Sequence, residues 1–176
     1  MVALIQPVQG RISSAFGVPR GDHSHAGIDF AAPHGTPVYA AASGRVTSAH
    51  FSATAGNMII LDHGNGLDTR YFHLSRFAVG VGAQVAQGQV IGYVGSTGRS
   101  TGVHLHFEVR RGGAAIDPTY ALQHGAPGGG SSNAGDSFLP RLDASMLPSL
   151  PTFEGDNAPY IIGGIFALLL IVMLRR

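Results

Sequence analysis

Nine histidines are spread over the 176 residues, and a few stand where they could share a metal ion. His25 is followed four residues later by Asp29, in a glycine-rich stretch near the start of the chain. His104 and His106, separated by Leu105, come much later. His73 lies between the two groups, in Tyr71-Phe72-His73-Leu74. Imidazole nitrogens and carboxylate oxygens suit zinc, and three protein ligands with an open fourth position mark a catalytic site rather than a structural one. The pattern points to a hydrolase that works through a metal-activated water.

Two residues that are two apart on a strand face the same way, so His104 and His106 can address one small volume. The ligand set read from the residues is His25, Asp29 and His106, with water fourth. Hydrolysis also needs a base for the water and an acid for the leaving amine. His73 and His104 are assigned those roles. Glu108 shares the face of His104 and His106 and is placed to orient a histidine. Plainer readings stand beside these. His73 also suits a structural histidine in an apolar strand, and His23, two residues before His25, is the alternative ligand. His34, His50, His63 and His124 read as surface or polar filler positions.

Strands must do the positioning. The segment 103–110 alternates, with Leu105, Phe107 and Val109 on one face and His104, His106 and Glu108 on the other. Asn57-Met58-Ile59-Ile60-Leu61-Asp62 reads as a strand that ends at His63-Gly64-Asn65-Gly66, and 68–74 as its hairpin partner, because Asn-Gly between apolar runs is a strong hairpin signal. Gln87-Gly88 marks another turn. Twenty-six glycines, many at turn positions between short apolar runs, give the look of a compact β protein. No long amphipathic helix is evident before residue 120. The expected fold class is all-β.

The chain has no cysteine, which excludes disulfides and thiolate metal sites. Its net charge of +1 shows no basic stripe, so nucleic acid is not an expected partner. The expected organisation is a domain over residues 1–124, a linker over 125–159 rich in glycine, proline and serine, and an apolar helix over 160–176. The linker composition is plain in Gly128-Gly129-Gly130-Ser131-Ser132. Residues 160–174 carry no charge and end at Arg175-Arg176. As a helix they would reach about 22 Å at ~1.5 Å per residue, short for a hydrocarbon core of about 30 Å. The segment reads as a membrane anchor with snorkelling arginines, or as an apolar helix held in an assembly. Residues 1–10 lack the basic and apolar regions of a secretory signal.

The surroundings of the histidines carry a resemblance. His25-Ala26-Gly27-Ile28-Asp29-Phe30-Ala31-Ala32-Pro33, then Gly35-Thr36-Pro37-Val38, then Gly95-Ser96-Thr97-Gly98-Arg99-Ser100-Thr101-Gly102-Val103-His104-Leu105-His106-Phe107-Glu108 resemble the lysostaphin-type, LytM-like zinc endopeptidases. Tyr71-Phe72-His73-Leu74 is similar to the family's middle histidine block, and Asp117-Pro118 to its usual exit. The resemblance covers about residues 11–122. It implies a compact antiparallel β-sheet domain with an open substrate groove, and cleavage of peptide cross-links in bacterial peptidoglycan. It also implies zinc held by His25, Asp29 and His106, with His73 and His104 catalytic. Glycine-bridge cleaving members of that family carry a tyrosine shortly before the first zinc histidine. Here the stretch is Phe16-Gly17-Val18-Pro19-Arg20, which tilts the expectation toward direct D-alanyl to diamino-acid cross-links. Ser96 and Thr97 are expected near the groove.

A wall hydrolase must reach the wall. The expected location is therefore a membrane anchor with the enzyme domain on the wall-facing side, or carriage in a phage virion that opens the wall during entry. The competing function is a non-catalytic peptidoglycan-binding or structural virion or membrane component of the same fold.

Overall fold

The computed structural model describes residues 1–126. The linker beyond residue 126 and the apolar run 160–174 lie outside the described residues. Among the described residues, no helix is long and apolar enough to cross a membrane.

Twelve strands and one short helix follow one another: β1 (Arg11–Ser14), β2 (Pro19–Arg20), β3 (His23–Ser24), β4 (Ile28–Ala31), β5 (Pro37–Tyr39), β6 (Gly44–Ser52), β7 (Gly56–Asp62), β8 (Leu67–Phe77), β9 (Gln84–Val85), β10 (Val90–Val94), β11 (Leu105–Arg111), β12 (Ala114–Ile116) and α1 (Pro118–His124). The main sheet is antiparallel and runs β1-β4-β11-β8-β7-β6-β9, with β10 joining β5 to β8 and β12 lying on β11. The described residues adopt the expected all-β class. The β7–β8 hairpin forms where Asn-Gly predicted it, with Gly64, Asn65 and Gly66 all at positive φ. Asp117 caps α1 by accepting the Thr119 N–H at 2.8 Å, and Pro118 fills the first turn, where its missing N–H is not needed.

Alternation on β11 decides the layers. Leu105, Phe107 and Val109 point into the core with Ile28, Phe30, Ile59, Leu61, Leu67, Tyr71 and Leu74. His106 and Glu108 point the other way and are still buried. Leu4 and Val8 also join the core, so the chain before β1 is part of the domain.

Tyr71 lies in that core with its hydroxyl satisfied. The oxygen accepts the Ala41 N–H at 2.9 Å and sits 2.9 Å from Thr69 Oγ1, which is 2.7 Å from His63 Nε2. His63 Nδ1 donates to the Ser43 carbonyl at 2.9 Å, so Nε2 is the acceptor that ends the chain of bonds. Burial pushes the Tyr71 phenol up to about 12 even against these bonds. Tyr71→Phe strands a buried N–H, whose loss of a partner costs about 1–3 kcal/mol. Equilibrium unfolding in denaturant is expected to show that loss, with zinc content unchanged. An unaltered midpoint would mean the network carries no stability.

Candidate metal centre

Asp29 and His106 are direct cross-strand partners on β4 and β11, and Ser14 on β1 lies on the other side of Asp29. His25 precedes β4 and is held at its backbone by two bonds of 2.9 Å, one to the Val18 carbonyl and one from the Gly17 N–H. Gly27 lets this segment press on β11. A Cβ there would come within 2.3 Å of the Phe107 carbonyl oxygen.

Three ligand atoms converge. His25 Nε2 is 3.0 Å from His106 Nδ1, His106 Nδ1 is 2.8 Å from Asp29 Oδ1, and His25 Nε2 is 3.2 Å from Asp29 Oδ1. A tetrahedral zinc with bonds of about 2.0–2.1 Å separates its ligands by about 3.3–3.4 Å. The trio is close to that spacing. The ring orientations are set from behind. His25 Nδ1 donates to the Ala15 carbonyl at 2.7 Å, which leaves Nε2 with a lone pair. His106 Nε2 donates to Glu108 Oε1 at 3.2 Å, and Glu108 is held in turn by Arg110 at 2.8 Å. Phe72 stacks on the His106 ring at 5.2 Å. Two imidazole lone pairs and a carboxylate oxygen therefore face one point, where only a positive charge relieves them. The donor set fits zinc.

The electrostatics agree. Burial opposes a charge on Asp29, but bonds from His106 and Arg20 outweigh it and hold the carboxyl well below the usual carboxylate range. Burial favours neutral His25 and pulls it below its ordinary value. Burial alone would do the same to His106, but Asp29 and Glu108 reverse the direction and raise it. A proton and a metal ion thus compete for His106 Nδ1.

His73 and His104 stand beside the trio, their rings 4.8 Å apart, and both line an open cleft together with Asp29. His104 Nδ1 donates to the Gly102 carbonyl at 2.9 Å, which turns Nε2 inward to 3.8 Å from Asp29 Oδ1. His73 Nδ1 donates to the Thr97 carbonyl at 2.8 Å. Burial lowers the His73 pKa, so its Nε2 is an unprotonated acceptor at neutral pH.

The placement of His73 is not that of a regular strand. Asn57 pairs with Leu74 and Ile59 with Tyr71, so β8 carries one extra residue there. His73 takes φ +63 and donates its N–H to the Ala55 carbonyl at 2.8 Å. The bulge re-aims the side chain from the core to the cleft.

Several expectations meet the structure differently. Of Ser96 and Thr97, both expected near the groove, Thr97 is next to it without being one of the lining residues. Thr97 works beneath it, with Oγ1 bonded to the Leu74 carbonyl at 2.8 Å and its own carbonyl holding His73. His23 is exposed and pairs with Asp22 at 2.8 Å, away from the trio. Arg20 was not signalled by the sequence. It sits at the end of β2, lines the cleft, and binds the outer oxygen of Asp29 and Ser14 Oγ. An isolated arginine before the first histidine carries no periodic signal that could have found it.

Arg20 occupies Asp29 Oδ2 and leaves Oδ1 to the trio. Partners of this kind are worth about 10–100-fold in metal affinity. Arg20→Gln is expected to weaken zinc binding by that order, measured by competition with a chromogenic chelator. Unaltered affinity would remove Arg20 from this role.

The family model for peptidase family M23 matches residues 23–118. DD-carboxypeptidase/endopeptidase Mpg of Neisseria meningitidis serogroup B is 48% identical over 120 residues, which cover 65% of this chain and 28% of Mpg. The chain thus spans little more than a quarter of that relative's length. A zinc-containing peptidase from Vibrio cholerae has a similar fold, with TM-score 0.62 and 38% identity over 65% of this chain and 39% of that one. The catalytic domain of lysostaphin from Staphylococcus simulans matches with TM-score 0.60 and 38% identity, over 65% of this chain and 92% of that domain.

Proposed function

The chain belongs to peptidase family M23, and from that premise we propose that it is a zinc-dependent endopeptidase that cuts peptide cross-links of bacterial peptidoglycan. The observation that carries this reading is the convergence of His25, Asp29 and His106, whose Asp29 lines the same cleft as His73 and His104. His25 Nε2, Asp29 Oδ1 and His106 Nδ1 would hold the metal. Zinc, when bound, acidifies a water and polarises the carbonyl under attack. His73 and His104 handle protons at Nε2. Each ring is locked through Nδ1 to a backbone carbonyl, so Nε2 alone exchanges protons with the reaction. One ring removes a proton from the attacking water and the other supplies one to the leaving amine. Glu108 and Arg20 orient His106 and Asp29 from behind. The bond proposed is a direct D-alanyl to diamino-acid cross-link. The absence of a tyrosine in Phe16-Gly17-Val18-Pro19-Arg20 and the similarity to a relative named for DD-endopeptidase activity support that choice.

The test is digestion of purified peptidoglycan by the full chain, with and without a chelator, followed by mass analysis of the fragments. Chelator-sensitive release of a defined cross-link fragment, restored by zinc, is the expected result. No release by zinc-loaded protein would sink the reading in favour of a non-catalytic peptidoglycan binder. We also propose that the apolar run 160–174 anchors the domain in a membrane on the wall-facing side or in a phage virion. Antibody probing of purified virions and of host envelopes tests this. Absence from both would overturn it.

A further inference from the structure

Two guanidinium groups, Arg20 and Arg99, line the cleft against a single carboxylate, that of Asp29. Arg20 is already committed to Asp29 and Ser14. Arg99 is exposed, and its side chain makes no hydrogen bond or ion pair with any described residue. Its backbone is firmly seated. The Arg99 N–H donates to the Thr54 carbonyl at 2.9 Å, and Gly98, at φ +71, packs so close to Gly56 that a Cβ would lie 2.2 Å from the Gly56 nitrogen. A free cation on a seated backbone thus lines the cleft that His104 also lines. No acidic side chain in the cleft is left to balance it.

An unpaired guanidinium carried on a seated backbone in a substrate cleft suits a carboxylate of the substrate. The histidines mark which one. On the peptidase reading the leaving amine takes its proton from His73 or His104, and Arg99 lines the same cleft as both rings. A carboxylate on the carbon that bears that nitrogen would then enter the cleft that Arg99 lines.

We propose that Arg99 is a specificity residue, reading a free carboxylate on the carbon that bears the scissile nitrogen. The protein then prefers cross-links made to an amino diacid over those in which that carbon carries an amide or hydrogen. This inference rests on the peptidase reading above. It adds the chemical class of the residue on the leaving side.

The test uses the zinc-loaded full chain and two synthetic cross-linked peptides. They differ only in whether the group beside the scissile nitrogen is a carboxylate or a carboxamide. The quantity read is the ratio of their kcat/KM values. The expected ratio is about tenfold in favour of the acid, the scale of one charge-assisted hydrogen bond, and it shrinks as salt rises. Arg99→Gln should bring the ratio close to one, and Arg99→Glu should take it below one. A variant that is merely damaged in folding lowers both rates together and leaves the ratio where it was. A wild-type ratio near one overturns this inference alone, and so does a preference that survives Arg99→Gln. Cleavage of neither peptide overturns the peptidase reading and this inference with it.

Discussion

His106→Ala is expected to abolish both zinc binding and wall digestion. The substitution deletes the ligand atom that lies within 3.0 Å of both other ligand atoms. It also leaves Glu108 buried without its imidazole partner. Loss of an outer partner alone costs about 10–100-fold in affinity, and loss of one of three ligands costs more. The fold should survive, because Leu105, Phe107 and Val109 keep β11 in the core. Metal content measured on the purified variant, beside its thermal unfolding, separates loss of the site from loss of the fold. A chelator should lower the wild-type midpoint, since zinc bound at a hundredfold excess over its Kd stabilises by about 2.7 kcal/mol. The variant's midpoint should not move. Digestion of peptidoglycan by His106→Ala would refute the ligand assignment.

His104→Ala should separate chemistry from metal binding. Its Nε2 is 3.8 Å from Asp29 Oδ1, beside the trio but outside it. Its Nδ1 is engaged by the Gly102 carbonyl. Zinc content is therefore expected to stay at the wild-type level. Turnover should fall by a factor of about 10² or more, the scale of a positioned proton-transfer group. Single-turnover digestion of a defined cross-link reads the chemical step directly. Full activity in this variant would take His104 out of the mechanism, and loss of zinc would make it a ligand.

Much of the site was legible because its signals are local. Period-two alternation around His106 decides which side chains face the apolar core, and β11 obeys it, with Phe107 in that core and His106 and Glu108 buried on the opposite face. Asn65-Gly66 between apolar runs specified the β7–β8 hairpin through backbone preferences that need no distant partner. Ligand chemistry drew attention to His25 with Asp29 four residues on and to His104 with His106 two residues on, and the flanking motifs that resemble a known family set these apart from the other histidines.

His73, Arg20 and Arg99 show where local signals stop. Regular alternation in Tyr71-Phe72-His73-Leu74 would send His73 into the core beside Tyr71. Instead Leu74 takes the core position, because an extra residue in β8 against β7 and the Thr97 carbonyl from a distant loop impose the bulge. Arg20 meets Asp29 only because the β2–β3 hairpin folds back over β1 and β4. Arg99 faces the cleft only because its loop seats on Gly56, far away in sequence. Sequence by itself determined the residue types and the face each one takes where its strand is regular, since backbone pleat and turn preferences act over a few residues. Which strands become neighbours, where their registers slip, and which charges are left without partners were decided by tertiary packing, because those depend on contacts between segments that share no local period.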